Sequence, residues 1–256
     1  MKLLRNSAIL FLAILILTGC NGKSPGKNKA SKVEDTIQVP DTGYTGIKQY
    51  FSGNRMVKEV SFKNGIRQGE TRTFYKGGQL YQTFWYENGL REDSARWYYT
   101  SGQLFRSTPY NKDTINGIQQ QYYKNGRLKA RIGYVKGLRT PFLEEYTHDG
   151  KKISDYPEIL VSIDDHYKSA GKIKITLELS NKSQRVVFYR GEFENGVFDT
   201  SKYAIIKSFD GKGTLEMKKT GSAQSDKLEL IAETITDFGN KYLTHKEIRL
   251  PYADLK

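Results

Sequence analysis

The sequence predicts an all-β protein: an antiparallel β-hairpin repeat sheet followed by an immunoglobulin-like β-sandwich. Three observations carry that expectation. Gly78, Gly102, Gly126 and Gly150 recur every 24 residues. Within each copy, apolar and polar residues alternate with a period of two, the pattern of strands half-buried on one face. After Tyr156-Pro157 the 24-residue columns stop, and seven short alternating runs follow at the spacing of a sandwich.

Residues 45–153 hold four full copies and a half copy without an insertion, with Asn54 in register one step before Gly78. Two positions after each register residue stand Met56, Leu80, Leu104 and Leu128, then Lys152. An aromatic pair precedes each: Tyr50-Phe51, Phe74-Tyr75, Tyr98-Tyr99 and Tyr122-Tyr123, then Tyr146 with Thr147. A third aromatic column runs Phe62, Tyr86, Tyr110 and Tyr134, followed by Asn64-Gly65, Asn88-Gly89, Lys112-Asp113 and Lys136-Gly137. Each unit is therefore two strands joined by tight turns, with glycine supplying the positive φ that short hairpins need. Leu80, Phe84 and Tyr86 fall on one face, as do their equivalents in the other copies. Neighbouring units pair edge to edge, giving a meander of about nine strands with an aromatic ladder as its core.

The pattern Tyr-x-x-Gly-x-Leu-x5-Tyr-x-x-Gly is carried by Tyr123, Gly126, Leu128, Tyr134 and Gly137. Earlier copies carry it as Tyr75, Gly78, Leu80, Tyr86 and Gly89, and as Tyr99, Gly102, Leu104 and Tyr110. It resembles the MORN-variant repeat found in tandem in bacterial proteins of the YwqK-type antitoxin family. The resemblance implies binding to lipid or protein and implies no catalysis. The third copy departs from it, because "NKDTING" replaces the Asn-Gly turn, and a looser turn is expected around Asp113. The fifth copy has Lys152 in place of leucine, as a terminal cap or junction would.

Lys2 and Arg5 precede the apolar run from Ala8 to Leu17, which ends in Leu17-Thr18-Gly19-Cys20. Residues 1–19 read as a secretory signal, with an apolar stretch too short to span a bilayer comfortably. Its small-residue end followed by cysteine resembles the lipobox of bacterial lipoproteins. That resemblance implies cleavage before Cys20 and acylation of its thiol, so that a lipid anchors the protein to a membrane of the bacterial cell envelope. Cys20 is the only cysteine, which excludes a disulfide within one chain. Residues 20–44 are rich in Lys, Ser, Gly and Asn and read as a flexible tether. No acidic run follows Cys20, which points to a periplasm-facing anchor.

The net charge of +13 is uneven. Residues 45–153 carry 19 Lys and Arg against 9 Asp and Glu, whereas residues 154–256 carry 16 of each. Beside an export signal, such a basic segment suits anionic lipid, acidic glycan or an acidic protein, and no nucleic acid is expected. A solvated surface that keeps the protein soluble is the other reading.

The chemistry-bearing residues do not form a motif. His148, His166 and His245 lie far apart, and His148 sits in a turn. Asp164-Asp165-His166 reads equally as a metal half-site or a solvated strand end, and paired His/Cys spacing for zinc is missing. Glu144, Glu145 and Asp149 near one repeat end carry little signal for glycoside chemistry. No catalytic residue, metal or cofactor is assigned.

The surface that stands out is opposite the Leu/Tyr columns. Tyr81, Trp85, Phe105, Lys129 and Arg131 lie there, and Arg72 and Arg96 alternate with aromatics on the first strands. Rings beside guanidinium groups stack on sugars or peptide side chains. Burial of both sheet faces, one by curvature and one by residues 154–256, would instead make these rings core. The expectation is a non-enzymatic, lipid-anchored binding or scaffold protein. An enzyme or enzyme subunit acting on envelope glycan and an antitoxin-like component are the alternatives.

Overall fold

The computed structural model describes residues 43–256 apart from Gln224, so the signal segment, Cys20 and most of the tether lie outside the described residues. The repeat copies build strands β1 (Gly46–Ser52), β2 (Arg55–Lys63), β3 (Ile66–Phe74), β4 (Leu80–Glu87), β5 (Leu90–Tyr98) and β6 (Leu104–Asn111). They continue as β7 (Thr114–Ile115), β8 (Gly117–Tyr122), β9 (Leu128–Val135) and β10 (Leu138–Glu145). The ten form one antiparallel sheet in chain order, with the short β7 pairing only β6.

Both kinds of turn repeat. At one edge, Asn88 and Gly89 have φ of 48° and 84°, the paired positive values of a two-residue type I′ hairpin, and Asn64-Gly65 and Lys136-Gly137 match them. Lys112-Asp113, at 45° and 65°, adopts the same turn, so it is not looser as the missing glycine suggested. Asp113 tolerates the left-handed region and its carboxylate is held by Arg91 Nε at 2.7 Å. The irregularity falls three residues later, where Asn116 donates its N–H to Pro109 and separates β7 from β8. At the other edge, Gly78, Gly102, Gly126 and Gly150 close like turns by donating to the carbonyls of Tyr75, Tyr99, Tyr123 and Thr147.

The column residues share one face, as their period of two requires. Val60, Phe62, Tyr86, Ala95, Thr108, Ala130 and Ile132 are buried there. Rings close over the smaller residues: Phe84 contacts Tyr86, Trp97 and Tyr110, with the Trp97 contact edge-on at 5.6 Å.

The remaining chain folds as β11 (Ile159–His166), α1 (Tyr167–Ala170), β12 (Lys172–Leu179), β13 (Val186–Arg190), β14 (Ala204–Ile206), β15 (Ser208–Phe209), β16 (Lys212–Lys218), β17 (Lys227–Ile235) and β18 (Lys241–Arg249). Two sheets result, β11-β12-β16-β15 and β14-β13-β17-β18. Lettered in chain order, these are A-B-E-D against C′-C-F-G, the strand order of an immunoglobulin-type sandwich. Eight strands appear where seven alternating runs were expected. The run 203–209 divides at Lys207, where the chain crosses from one sheet to the other. Ile173, Ile175, Leu177 and Met217 of one sheet meet Val186, Phe188, Leu228 and Leu230 of the other in a single core. Gly213 is required there, since a Cβ would approach Phe188 to 2.8 Å.

The sandwich meets the last copy and covers part of its open sheet edge. Phe198 donates its N–H to Arg139 O at 2.7 Å, and Ile153 donates to Glu145 O at 2.8 Å, so both ends of the outer edge of β10 are occupied. Glu145 is fully buried, and its Oε1 accepts from Thr236 Oγ1 and Asn240 Nδ2, both at 2.7 Å. Gln121 Nε2 donates to Asn240 at 3.0 Å, and Arg139 Nη2 donates to Lys241 O at 2.9 Å. Tyr156 stacks on Tyr242 beside them.

Candidate functional site

Cross-strand pairing fixes which side chains occupy the face opposite the columns. One row of paired residues runs Gln49, Glu59, Arg72, Thr83, Arg96, Ser107, Gln120, Arg131 and Glu144. Directly opposed residues in an antiparallel ladder project to the same side, so Arg72, Arg96 and Arg131 share this face. Tyr81 and Trp85 flank Thr83 two residues away on either side, Phe105 precedes Ser107, and Lys129 precedes Arg131 by the same step. The structure thus brings all seven expected surface residues onto one face. Arg72, Trp85, Arg96 and Phe105 are exposed, whereas Tyr81, Lys129 and Arg131 are half-buried.

The sandwich does not cover that face. The side chains through which the sheet hydrogen-bonds the sandwich are Gln121, Arg139 and Glu145, which pair with Ala130 and Tyr134 on the column face. Burial by the neighbouring residues therefore falls on the column side.

Electrostatically the opposite face is balanced. Arg72 lies 2.6 Å from Glu70 and 3.9 Å from Glu59. Glu144 accepts from Lys152 at 2.6 Å and Arg131 at 2.7 Å. Hydrogen bonds from Lys152 and then Arg131 hold its carboxyl below the usual range. Arg96 reaches the Ser94 carbonyl at 3.5 Å and has no carboxylate partner among the described residues. The strand interiors of this face set Arg72, Arg96, Lys129 and Arg131 among Glu59, Glu70, Glu92 and Glu144.

The sheet's excess of cations lies elsewhere, on residues that the surface expectation left out. Arg67, Arg91 and Arg139 occupy one 24-residue column on the column side, with Ile115 filling the third place. They pair across the strands with Phe62, Tyr86 and Tyr134. Arg67 stacks over Tyr86 at 5.3 Å and Arg91 over Tyr110 at 4.6 Å, each ring belonging to the following copy. Arg106 lies 4.0 Å from the Trp97 ring centre. Desolvation resists the charge of Asp113, but the hydrogen bonds and charge of Arg91 outweigh it and hold that carboxyl below its ordinary value. The signal was present in the sequence as arginine at a constant interval.

The signature tyrosines have a structural role. Tyr75 Oη donates to Tyr98 O at 2.6 Å, Tyr99 to Tyr122 O at 2.8 Å and Tyr123 to Tyr146 O at 2.7 Å. Each hydroxyl ties its copy to the backbone of the next.

The acids considered for hydrolysis are divided. Glu144 and Glu145 are consecutive on β10 and project to opposite faces, and Asp149 accepts from Thr147 in the following turn. The His148 ring lies tilted against Tyr123, 5.0 Å between centroids, while His245 Nε2 is 2.7 Å from Glu229. Asp165 accepts from the Tyr167 N–H and the Tyr252 hydroxyl. Among the described residues no three or more His, Cys, Asp or Glu side chains gather in a metal-binding group. No described helix is long and apolar enough to cross a membrane.

No family model matches the chain, and no curated protein matches it. The resemblance to MORN-type repeats rests on the columns themselves.

Proposed function

We propose that the protein is a non-enzymatic binding or scaffold protein, tethered by a lipid on Cys20 to a membrane of the bacterial envelope and facing the periplasm. The repeat sheet is its binding surface, and the sandwich holds one end of that sheet rigid. The observation that carries this reading is the gathering of Arg72, Tyr81, Trp85, Arg96, Phe105, Lys129 and Arg131 on the face that the sandwich leaves open.

The chemistry of that face favours a protein partner. Trp, Tyr and Arg are the residues that most often anchor protein interfaces. Balanced charges fix register and exclude wrong partners without a large net attraction. Nine strands at ~4.8 Å spacing and about 25 Å long offer roughly 1,000 Å², which matches one side of a standard interface.

Labelled-palmitate incorporation tests the anchor. Wild type should be acylated and membrane-bound, and Cys20→Ala unlabelled. Unlabelled, cytoplasmic wild-type protein would overturn the lipoprotein reading. For the surface, Trp85→Ala with Arg96→Glu should weaken partner binding at least tenfold while the urea midpoint stays within error.

A further inference from the structure

We propose that the hairpin turn joining β15 and β16, with the loop it rests on, is a contact site for an anionic phospholipid bilayer, and that Phe209 is the inserting side chain. The inference concerns the sandwich and rests on neither the protein-binding face nor a lipid on Cys20.

Exposure is the first argument. Phe209 is 88% exposed, more than any other large apolar side chain among the described residues. It pairs with Lys212 across a two-residue turn in which Asp210 and Gly211 have φ of 49° and 75°. Directly opposed residues project to one side, so the ring and the ammonium group point out together. A ring left in water at a hairpin tip contributes nothing to the core, and it gains only where binding takes it out of water.

Rigidity is the second argument. Gly211 is buried, and a Cβ there would lie 2.7 Å from Ser183 O and 3.1 Å from Gln184 Cα. The turn therefore sits directly on the main chain of the loop between β12 and β13. That loop is itself fastened, because Thr234 Oγ1 donates to Arg185 O at 2.8 Å and the Ser183 N–H donates to Asn181 Oδ1 at 3.1 Å. The ring is presented on a fixed support, and little backbone freedom is lost when it inserts.

Charge names the occupant. Residues 181–185 and 207–212 include Lys182, Arg185, Lys207 and Lys212, all exposed, against Asp210 alone. Lys182 is engaged by Glu178, whereas the other three make no ion pair among the described residues. Each cation near an anionic bilayer adds attraction, and long side chains keep their charges at the headgroups while a ring passes below them. One apolar group with a cluster of cations is the pair of signals that reversible bilayer binding uses. An anchor for a protein pocket sits inside a rim of contacts that excludes water, whereas Phe209 protrudes among charges.

The test uses the full chain with Cys20→Ala and Gln184→Cys, whose single thiol beside the turn carries an environment-sensitive dye. Vesicles of phosphatidylglycerol and phosphatidylcholine should shift its emission to the blue, and nitroxide-labelled lipid should quench it. Vesicles of phosphatidylcholine alone should do neither, and high salt should raise the vesicle concentration at half-response at least tenfold. The dye reads only its own surroundings, whatever other part of the chain touches the vesicle. Phe209→Ser should raise that concentration at least tenfold without moving the urea midpoint, and so should Arg185→Gln with Lys207→Gln and Lys212→Gln. Phe209→Trp should keep the response, and Trp85→Ala with Arg96→Glu should not change it. The control places the thiol at Ala170 in α1, at the other end of β12 and about 25 Å away, where Lys168, Lys218 and Lys219 are exposed. Its dye should stay in water. Should Phe209→Ser fail to fold, the three-cation variant still decides. No response at position 184, as for a ring that docks in a protein pocket, would overturn the proposal. So would an equal response to neutral vesicles, an equal response at position 170, or a response unchanged in folded Phe209→Ser or in the three-cation variant.

Discussion

Tyr75, Tyr99 and Tyr123 each spend a hydroxyl on the main chain of the next copy, so a side chain that reads as a packing residue is also a fixed hydrogen-bond donor. Tyr99→Phe keeps the ring but leaves the Tyr122 carbonyl without that donor. The expected loss is about 1 kcal/mol of stability, read from the urea midpoint. Arg91 makes a different prediction. Its bonds to Asp113 lower that carboxyl below 3.8, so their contribution is present above that pH and fades as pH falls through the lowered value. In Arg91→Gln the Asp113 titration followed by NMR should move up, and the acid side of the stability profile should flatten. Much at this scale was legible in the sequence. Tyr81 with Trp85 and Lys129 with Arg131 share a side by alternation, register across the strands joins them to the other three surface residues, and Glu144 and Glu145 must diverge because they are adjacent in a strand. What alternation could not reveal was compensation. Arg72 is neutralised by Glu70 and Glu59, and the second acid comes from another strand, so only the register discloses it.

Turns decide the elements. Gly89 sits at φ 84° in a type I′ hairpin, where an L-residue with a Cβ is strained. Gly89→Ala should cost about 1 kcal/mol in equilibrium unfolding without changing the strand content seen by circular dichroism. The third copy tempers any rule that glycine is obligatory, since Asp113 holds the same conformation with help from Arg91. Sequence composition located that copy's irregularity but misplaced it. A missing glycine is visible in the sequence, whereas the rescue by an arginine 22 residues earlier is a tertiary contact. The division of β14 from β15 at Lys207 was hidden for a similar reason. An alternating run has the same pattern whether it stays in one sheet or changes to another, because both sheets bury one face.

Across the whole molecule, stability and access meet at the junction of sheet and sandwich. Glu145 is the centre of that junction, with Thr236 and Asn240 donating to one oxygen and no hydrogen-bond partner on Oε2 among the described residues. Burial, together with the nearby Glu145 carboxylate, pushes the Tyr156 hydroxyl well above its usual value. Glu145→Ala strands two donors and should cost about 1–3 kcal/mol. Glu145→Gln retains the accepting oxygen and should cost less, a ranking that thermal unfolding can check. The sequence allowed residues 154–256 to bury one sheet face, but alternation gives no sign that the contact falls on the column side. That choice leaves the opposite face accessible, and the proposed function depends on it. The most direct test puts a photo-reactive amino acid at Phe105 in the intact cell, with a matching probe at the exposed Ile205 on the sandwich as control. The account predicts one discrete protein adduct from position 105, absent from position 205 and lost when Trp85→Ala and Arg96→Glu are added. Identical adducts from both positions, or an adduct from 105 that survives those substitutions, would contradict it.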